Sequence, residues 1–192
     1  MKLTKLNVAL LALLALVTTA DILLLRQNQQ LRKQLEGAPD KPEIGSTLRS
    51  YLGKDIDGQP VQLGNTAPGP KRVYMYFTAS CKFCKQQFPY WKSILEQAPR
   101  HNLEVIGLVK ENEDQKALRS FLEEMSCAPG SATPMRVALL PQDLQHEYKL
   151  TATPVTLIAD NHGVIEQSWV GLWKTSELAE VNSAFNFIVS SR

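Results

Sequence analysis

Cysteine and histidine are both scarce in this chain, which has three of each among its 192 residues. Three cysteines are too few for a fold held together mainly by disulfides, and any pair leaves one over. The net charge of +2 is too small to indicate nucleic acid as a partner. No second pair of cysteines or histidines occurs at metal-ligand spacing, which argues against structural zinc. We therefore expect neither a resident metal nor a cofactor.

Two of the cysteines, Cys81 and Cys84, lie between the apolar run 73–77 and a helix-like stretch from Lys85 to Ala98. At the first turn of a helix, unpaired N–H groups and the macrodipole favour negative charge, and therefore a thiolate at Cys81. Helical spacing brings the sulfur of Cys84 back toward Cys81, so a disulfide can close between them. The pattern predicts redox chemistry, with a structural disulfide or half of a zinc site as alternatives.

An apolar run from Leu6 to Leu25 follows Lys2 and Lys5 at the start of the chain. Its length matches the roughly 20 residues that span a bilayer, so residues 1–25 are predicted to form a transmembrane signal anchor. Small residues ending at Ala20 allow an alternative, a signal peptide cleaved near that position, which would make the rest a secreted protein. In both cases we expect the remainder of the chain to be exported.

Residues 26–43 are predicted to form a helical stalk and a linker. Four residues are spaced by alternating steps of four and three, as in a coiled-coil seam: Leu24, Asn28, Leu31 and Leu35. The run is too short to distinguish a seam from a helix that continues the anchor, so we expect a monomer or a weak dimer through the stalk. The stretch 37–42 contains glycine and two prolines and is expected to end the helix.

Residues 44–192 are predicted to form one α/β domain. It begins with a β-hairpin between residues 54–56 and 60–63, with Asp57-Gly58 in the turn. Nine further elements are predicted after the hairpin. The strands lie at residues 73–77, 103–109, 135–140, 154–159 and 164–170, and the helices at residues 85–98, 113–125, 142–148 and 175–189. Because strands alternate with helices, we expect a mixed central sheet with helices on both faces.

The sequence resembles proteins of the thioredoxin fold in three features. These are the pair Cys81 and Cys84 after a buried strand, Pro89 in the following helix, and Thr153-Pro154 at the start of a later strand. Further features resemble, more specifically, the membrane-anchored thiol–disulfide oxidoreductases of the TlpA/ResA type: the turn at Asp57-Gly58, the exported anchor and Gly171. The resemblance covers residues 44–189, which is nearly all of the predicted globular domain.

The resemblance implies an enzyme, a protein-disulfide oxidoreductase that cycles between the Cys81–Cys84 dithiol and disulfide. Cys81 is expected to attack a client disulfide as a thiolate, and Cys84 to resolve the mixed disulfide. By the same resemblance, Pro154 is the cis-proline that faces the disulfide. Proline has no N–H, which leaves the backbone of Thr153 free to pair with an incoming peptide strand.

Lys82 and Phe83 stand between the cysteines and are expected to tune the reduction potential. No histidine between the cysteines stabilises a strongly oxidising state, so we expect a reductant. The resemblance implies that it serves cytochrome c maturation or metal-site assembly, with disulfide-containing client proteins and a membrane thiol electron donor as partners. It also implies a single pass through the bacterial cytoplasmic membrane, with the catalytic domain in the periplasm or outside.

Three residues depart from the pattern of this family. Ser80 stands where members often have tryptophan, and Met75 stands where the wider fold often has a buried acid. Gln87 corresponds to a glutamate that relays protons in several members, and an amide cannot titrate. Fold and thiol exchange survive these changes, but the source of the proton for Cys84 is left open.

Two other functions are compatible with parts of the sequence. A copper-binding, metallochaperone-like module would use Cys81 and Cys84 as soft ligands. A peroxidase of the peroxiredoxin kind is a weaker option, since Thr78 lacks the accompanying proline.

Cys127 is expected to be buried or free without a role. The histidines are expected at the surface and the tryptophans in packing positions: His101, His146, His162, Trp91, Trp169 and Trp173.

Overall fold

The computed structural model describes residues 5–36 and 40–191. The strands in this part of the chain are β1 (Tyr51–Lys54), β2 (Pro60–Leu63), β3 (Lys71–Tyr76), β4 (Leu103–Lys110), β5 (Arg136–Leu140), β6 (Val155–Ala159) and β7 (Ile165–Val170). The α-helices are α1 (Lys5–Glu36), α2 (Lys82–Gln97), α3 (Gln115–Glu124), α4 (Gln142–Glu147) and α5 (Leu178–Phe185). Short 3-10 helices cover Ala98–His101 and Thr175–Glu177.

Five strands form a mixed sheet in the order β5-β4-β3-β6-β7. The central strand β3 runs parallel to β4 and antiparallel to β6. Every residue of β6, and every residue of β3 after Lys71, is buried, and apart from Arg72 and Thr156 these residues are apolar or aromatic, as central strands require. The predicted mixed sheet is therefore confirmed.

Alternating side chains of β3 point to two separate hydrophobic clusters, as the period of a strand requires. Val73 and Met75 pack with residues of α2, α3 and α5. Tyr74 and Tyr76 pack on the other side, with residues of α4 and β2. The sheet is thus covered on both faces, with the cysteine-bearing helix on the first.

The N-terminal hairpin forms a separate two-stranded sheet, in which β1 pairs antiparallel with β2 from Tyr51 opposite Leu63 to Lys54 opposite Pro60. The prediction placed the first strand at residues 54–56, which is wrong by about three residues. Asp55 instead closes the turn, because its Oδ1 accepts the backbone N–H groups of Asp57 and Gln59. These side-chain bonds begin the turn at Asp55, so β1 ends at Lys54.

The last helix is shorter than the predicted span 175–189. A 3-10 turn at Thr175–Glu177 precedes α5, and α5 ends where Asn186 adopts the left-handed conformation with φ 57°. The side chain of Asn182 then accepts the N–H of Val189, which holds the following segment against the domain. At the start of this segment, Oε2 of Glu177 accepts the backbone N–H of Lys174 at 2.7 Å.

Helix α1 belongs to a compact unit of its own, and a second unit begins at Asp40. Helix α1 continues without a break across residues 25 and 26, the predicted boundary between anchor and stalk. Among the residues that the structure describes, no helix is both long and apolar enough to cross a membrane. The linker residues 37–39 lie outside the described residues, as do the side chains of Leu31 and Leu35 in the predicted seam.

Candidate active site

Cys81 and Cys84 lie at the start of α2 and are joined in a disulfide, with their Cα atoms 5.2 Å apart. Cys81 is the N-cap residue of α2, and its sulfur accepts the backbone N–H of Cys84 at 3.1 Å. Cys81 is half-buried, whereas Cys84 is completely buried. Of the two sulfurs, Cys81 is therefore the one that a second protein can reach.

The loop before Cys81 is held by two hydrogen bonds. The N–H of Cys81 donates to the carbonyl of Thr78 at 3.1 Å. The N–H of Ala79 donates to Oε1 of Glu113 at 2.8 Å. Glu113 follows β4 and lies 34 residues from its partner, and the sequence analysis did not identify it. A partly buried carboxylate thus fixes the approach of the chain to the redox pair.

The residues between and after the cysteines lie at the surface of α2. Lys82 is exposed, and Phe83 is 56% exposed, so both are accessible to a partner or to solvent. Lys85 is also exposed, but its Nζ lies 2.6 Å from Oε2 of Glu124. Because Glu124 offsets the charge of Lys85, Lys82 is the cation that we expect to act more strongly on Cys81.

The peptide bond between Thr153 and Pro154 is cis. Pro154 is buried, and its carbonyl accepts the N–H of Gly171 at 2.8 Å. Thr153 is half-buried and lines a groove of about 1100 Å³ that also touches Ser80, directly before Cys81. The groove includes residues from the ends of β3 and β4 and from α4. The segment before Pro154 and the cysteine loop therefore share one open surface.

Gln87 is completely buried in α2, one turn after Cys84. Its Oε1 accepts the backbone N–H of Trp173 at 3.0 Å, while its Nε2 has no hydrogen-bond partner. The family resemblance drew attention to Gln87, but its contact with Trp173, 86 residues away, could not be read from the sequence. Met75 is also fully buried, in the same hydrophobic cluster as Cys84, and supplies no titratable group.

Cys127 is a free cysteine that lies in the same hydrophobic cluster as Cys84. It is fully buried, its Sγ lies 3.6 Å from the carbonyl of Leu122, and burial raises the pKa of its thiol to about 12. The expectation of a buried cysteine is confirmed. All three histidines are exposed and all three tryptophans are buried, as expected. Within the described residues, no group of three or more potential metal ligands occurs.

The fold and the redox pair together define a class, the thioredoxin-fold thiol–disulfide oxidoreductases, and comparison with known proteins agrees with it. The sequence model that defines the AhpC/TSA family matches residues 44–168, so the chain belongs to this family. The sporulation thiol-disulfide oxidoreductase A of Bacillus subtilis is 23% identical over 132 residues, which are 68% of this chain and 76% of that protein.

Solved structures are similar in fold. StoA from Bacillus subtilis has a TM-score of 0.54 at 20% identity, covering 69% of this chain and 96% of that one. A thiol:disulfide interchange protein of the thioredoxin family from Chlorobium tepidum has a TM-score of 0.56 at 15% identity, covering 77% and 98%. The predicted thioredoxin-like fold and enzyme class are confirmed.

Proposed function

We propose that this chain reduces disulfides in exported client proteins. The thiolate of Cys81 attacks one client sulfur, forms a mixed disulfide, and releases the other client sulfur as a thiolate. Cys84 then loses its proton, attacks the sulfur of Cys81, and releases the second client sulfur. The client gains two electrons and two protons and ends as a dithiol, while the enzyme ends as the disulfide.

The observation that carries this proposal is the unequal exposure of the two sulfurs at the N-terminus of one helix. Attack on a large client requires an accessible sulfur, which favours the half-buried Cys81. Resolution requires a sulfur close to Cys81 but shielded from competing disulfides, which describes the buried Cys84. The groove that reaches from Ser80 to Thr153 gives the client backbone a place beside the attacked bond.

A trapping experiment tests the exchange. In Cys84→Ser, the mixed disulfide forms but has no internal sulfur to resolve it, so client proteins should accumulate as reducible adducts. Cys81→Ser is the matched control and should trap far fewer, because its remaining sulfur at the site is buried. Absence of adducts from Cys84→Ser, together with one Cu(I) bound per wild-type chain, would refute exchange and favour the copper-binding alternative.

The direction of electron flow is part of the proposal. We assign the chain as a reductant, recharged by a membrane dithiol donor and acting in cytochrome c maturation or metal-site assembly. The absence of histidine between Cys81 and Cys84 supports this direction. A reduction potential near −270 mV, on the scale of thioredoxin, is the expected result, and a value near −120 mV would make it an oxidant.

Tethering to the bacterial cytoplasmic membrane is also proposed, with the catalytic domain on the far side from the cytoplasm. The support is the apolar run at 6–25 and its exposed large side chains on α1: Leu13, Leu14, Leu16, Val17, Ile22, Leu23, Leu24 and Leu25. The full chain should stay in the membrane fraction after alkaline washing. Release of a product beginning after Ala20 would instead identify a cleaved signal peptide.

A further inference from the structure

Gln87 has a polar atom that nothing in the oxidised structure satisfies. A backbone N–H can only donate, so the bond from Trp173 fixes the amide of Gln87 with its oxygen toward Trp173. The nitrogen Nε2 therefore faces away from Trp173, and it is buried without an acceptor. A buried donor without a partner destabilises the state in which it occurs.

The position of Gln87 limits which acceptor can satisfy it. Residues three apart on a helix are neighbours on one face, and side chains lean toward the N-terminus of the helix. Gln87 therefore leans toward the turn that holds Cys84, and both side chains are completely buried. In the disulfide, the sulfur of Cys84 is uncharged and therefore a weak acceptor. On reduction it becomes a thiol or a thiolate, and a thiolate is a strong acceptor.

We infer that Gln87 is a positioning residue for the resolving step, whose Nε2 donates a hydrogen bond to the sulfur of Cys84 once the disulfide is reduced. This inference rests on the proposed function, since it concerns the same cysteine pair. Gln87 takes up no proton. The proton that leaves Cys84 goes to the first client thiolate, and Gln87 stabilises the Cys84 thiolate that attacks Cys81.

The charges that the structure gives around the redox pair are exposed or have other partners. Glu113 accepts the N–H of Ala79 in the loop before Cys81. The apolar and aromatic residues packed around Cys84 include, among the described residues, three with a titratable side chain: Cys81, Tyr90 and Cys127. The two buried charged side chains of the described chain are paired elsewhere: Asp55 with Arg136, and Arg72 with Glu104. Lys82 and Lys85 lie on the exposed surface of α2.

The test compares Gln87→Met and Gln87→Glu with the same changes at Gln86, its exposed neighbour on α2. Gln87→Met removes the donor, and Gln87→Glu keeps the acceptor for Trp173 but offers no donor when ionised. The full chain is equilibrated with reduced and oxidised glutathione. We expect Gln87→Met to move the equilibrium about threefold to tenfold toward the protein disulfide, which is about 15 to 30 mV, and Gln86→Met to leave it unchanged.

A second measurement distinguishes two roles of Gln87: a hydrogen-bond donor to Cys84, or a residue that only holds the backbone of Trp173 in place. In a Cys81→Ser, Cys127→Ala background, thiolate absorbance reports Cys84 alone. We expect its thiolate to appear about one pH unit higher in Gln87→Met, and higher still in Gln87→Glu because the carboxylate repels it. A Gln87→Glu protein that matches wild type, or Gln86 variants that shift equally, would overturn the inference. Trapping of clients by Cys84→Ser does not depend on that result, so failure of the exchange function is seen separately.

Discussion

The sulfur of Cys81 accepts the backbone N–H of Cys84 at 3.1 Å, so one atom serves both as the proposed nucleophile and as the cap of α2. Cys81 has the extended backbone of an N-cap residue, with φ −74° and ψ 107°. The free N–H groups that the cap satisfies are the same groups that favour negative charge on the sulfur. Capping and activation of the thiol therefore have one structural cause.

This double role predicts a difference between two variants that both lack the disulfide. We expect Cys81→Ser to unfold with a free energy about 1 kcal/mol larger than Cys81→Ala, because a serine hydroxyl accepts the Cys84 N–H and a methyl group cannot. Urea unfolding under reducing conditions measures the difference. Since neither variant forms the disulfide, its contribution cancels. Equal free energies would mean that the sulfur contributes nothing as a cap.

The exposed lysines near the pair are predicted to act unequally. Lys85 is paired with Glu124 at 2.6 Å, whereas Lys82 is exposed beside Cys81 at the first position of α2. We expect Lys82→Glu to slow alkylation of reduced Cys81 at neutral pH by about twofold to fivefold, since a carboxylate repels the thiolate. Lys85→Glu should have the smaller effect, and high salt should reduce both. A larger effect at Lys85 would contradict this assignment.

The strands and helices of the central domain could be predicted to within a few residues because their signals are local. The strand predicted at 73–77 is buried on both faces, and its run of apolar residues identifies it without knowledge of its neighbours. The early end of α5 could not be predicted, because the left-handed conformation of Asn186 interrupts an otherwise suitable pattern. The first hairpin strand was misplaced because the side chain of Asp55 competes with the ladder for backbone donors.

The redox pair was found for the same reason, since two cysteines three positions apart on a helix are a local pattern. The contacts that surround the pair are not local. Glu113 reaches Ala79 from the end of β4, and Gln87 meets Trp173 only because β6 and β7 return the chain to α2. Sequence spacing therefore identified the chemistry, while the groups that position it required the fold.

Asp55 is predicted to be the main anchor of the hairpin. It is buried, accepts the N–H groups of Asp57 and Gln59, and its Oδ2 lies 3.0 Å from Nε of Arg136 on β5. We expect Asp55→Ala to lower the free energy of unfolding by about 1–3 kcal/mol, because it leaves the part-buried N–H groups of Asp57 and Gln59, and the guanidinium of Arg136, without their acceptor. Urea unfolding of the oxidised protein measures the loss.

The neighbouring aspartate is the matched control for that measurement. Asp57 pairs with Arg119 at 3.1 Å, and both side chains are nearly half exposed. Exposed ion pairs contribute little, so Asp57→Ala should cost less than about 1 kcal/mol. If the two alanine variants were equally stable, the hairpin would be held by its apolar contacts and Asp55 would not be its anchor.

Cys127 predicts how stability depends on alkaline pH. Burial raises the pKa of its thiol to about 12 in the native protein, whereas an unfolded chain releases this proton at about pH 8.5. Between these values the unfolded state binds fewer protons than the native state, so raising the pH favours unfolding. The stabilisation should be complete below about pH 8.5 and fall by up to about 1.4 kcal/mol per pH unit above it.

The measurement uses a chain in which Cys81 and Cys84 are both replaced by serine, so that Cys127 is the one thiol left. Urea unfolding between about pH 8.5 and 10 isolates its contribution, because the tyrosines whose pKa burial raises, Tyr74, Tyr76 and Tyr148, lose their protons in the unfolded chain only near pH 10. Adding Cys127→Ala should flatten the decline in this interval. An unchanged slope would show that the thiol of Cys127 is ionised in the native state as readily as in the unfolded chain, contrary to its burial.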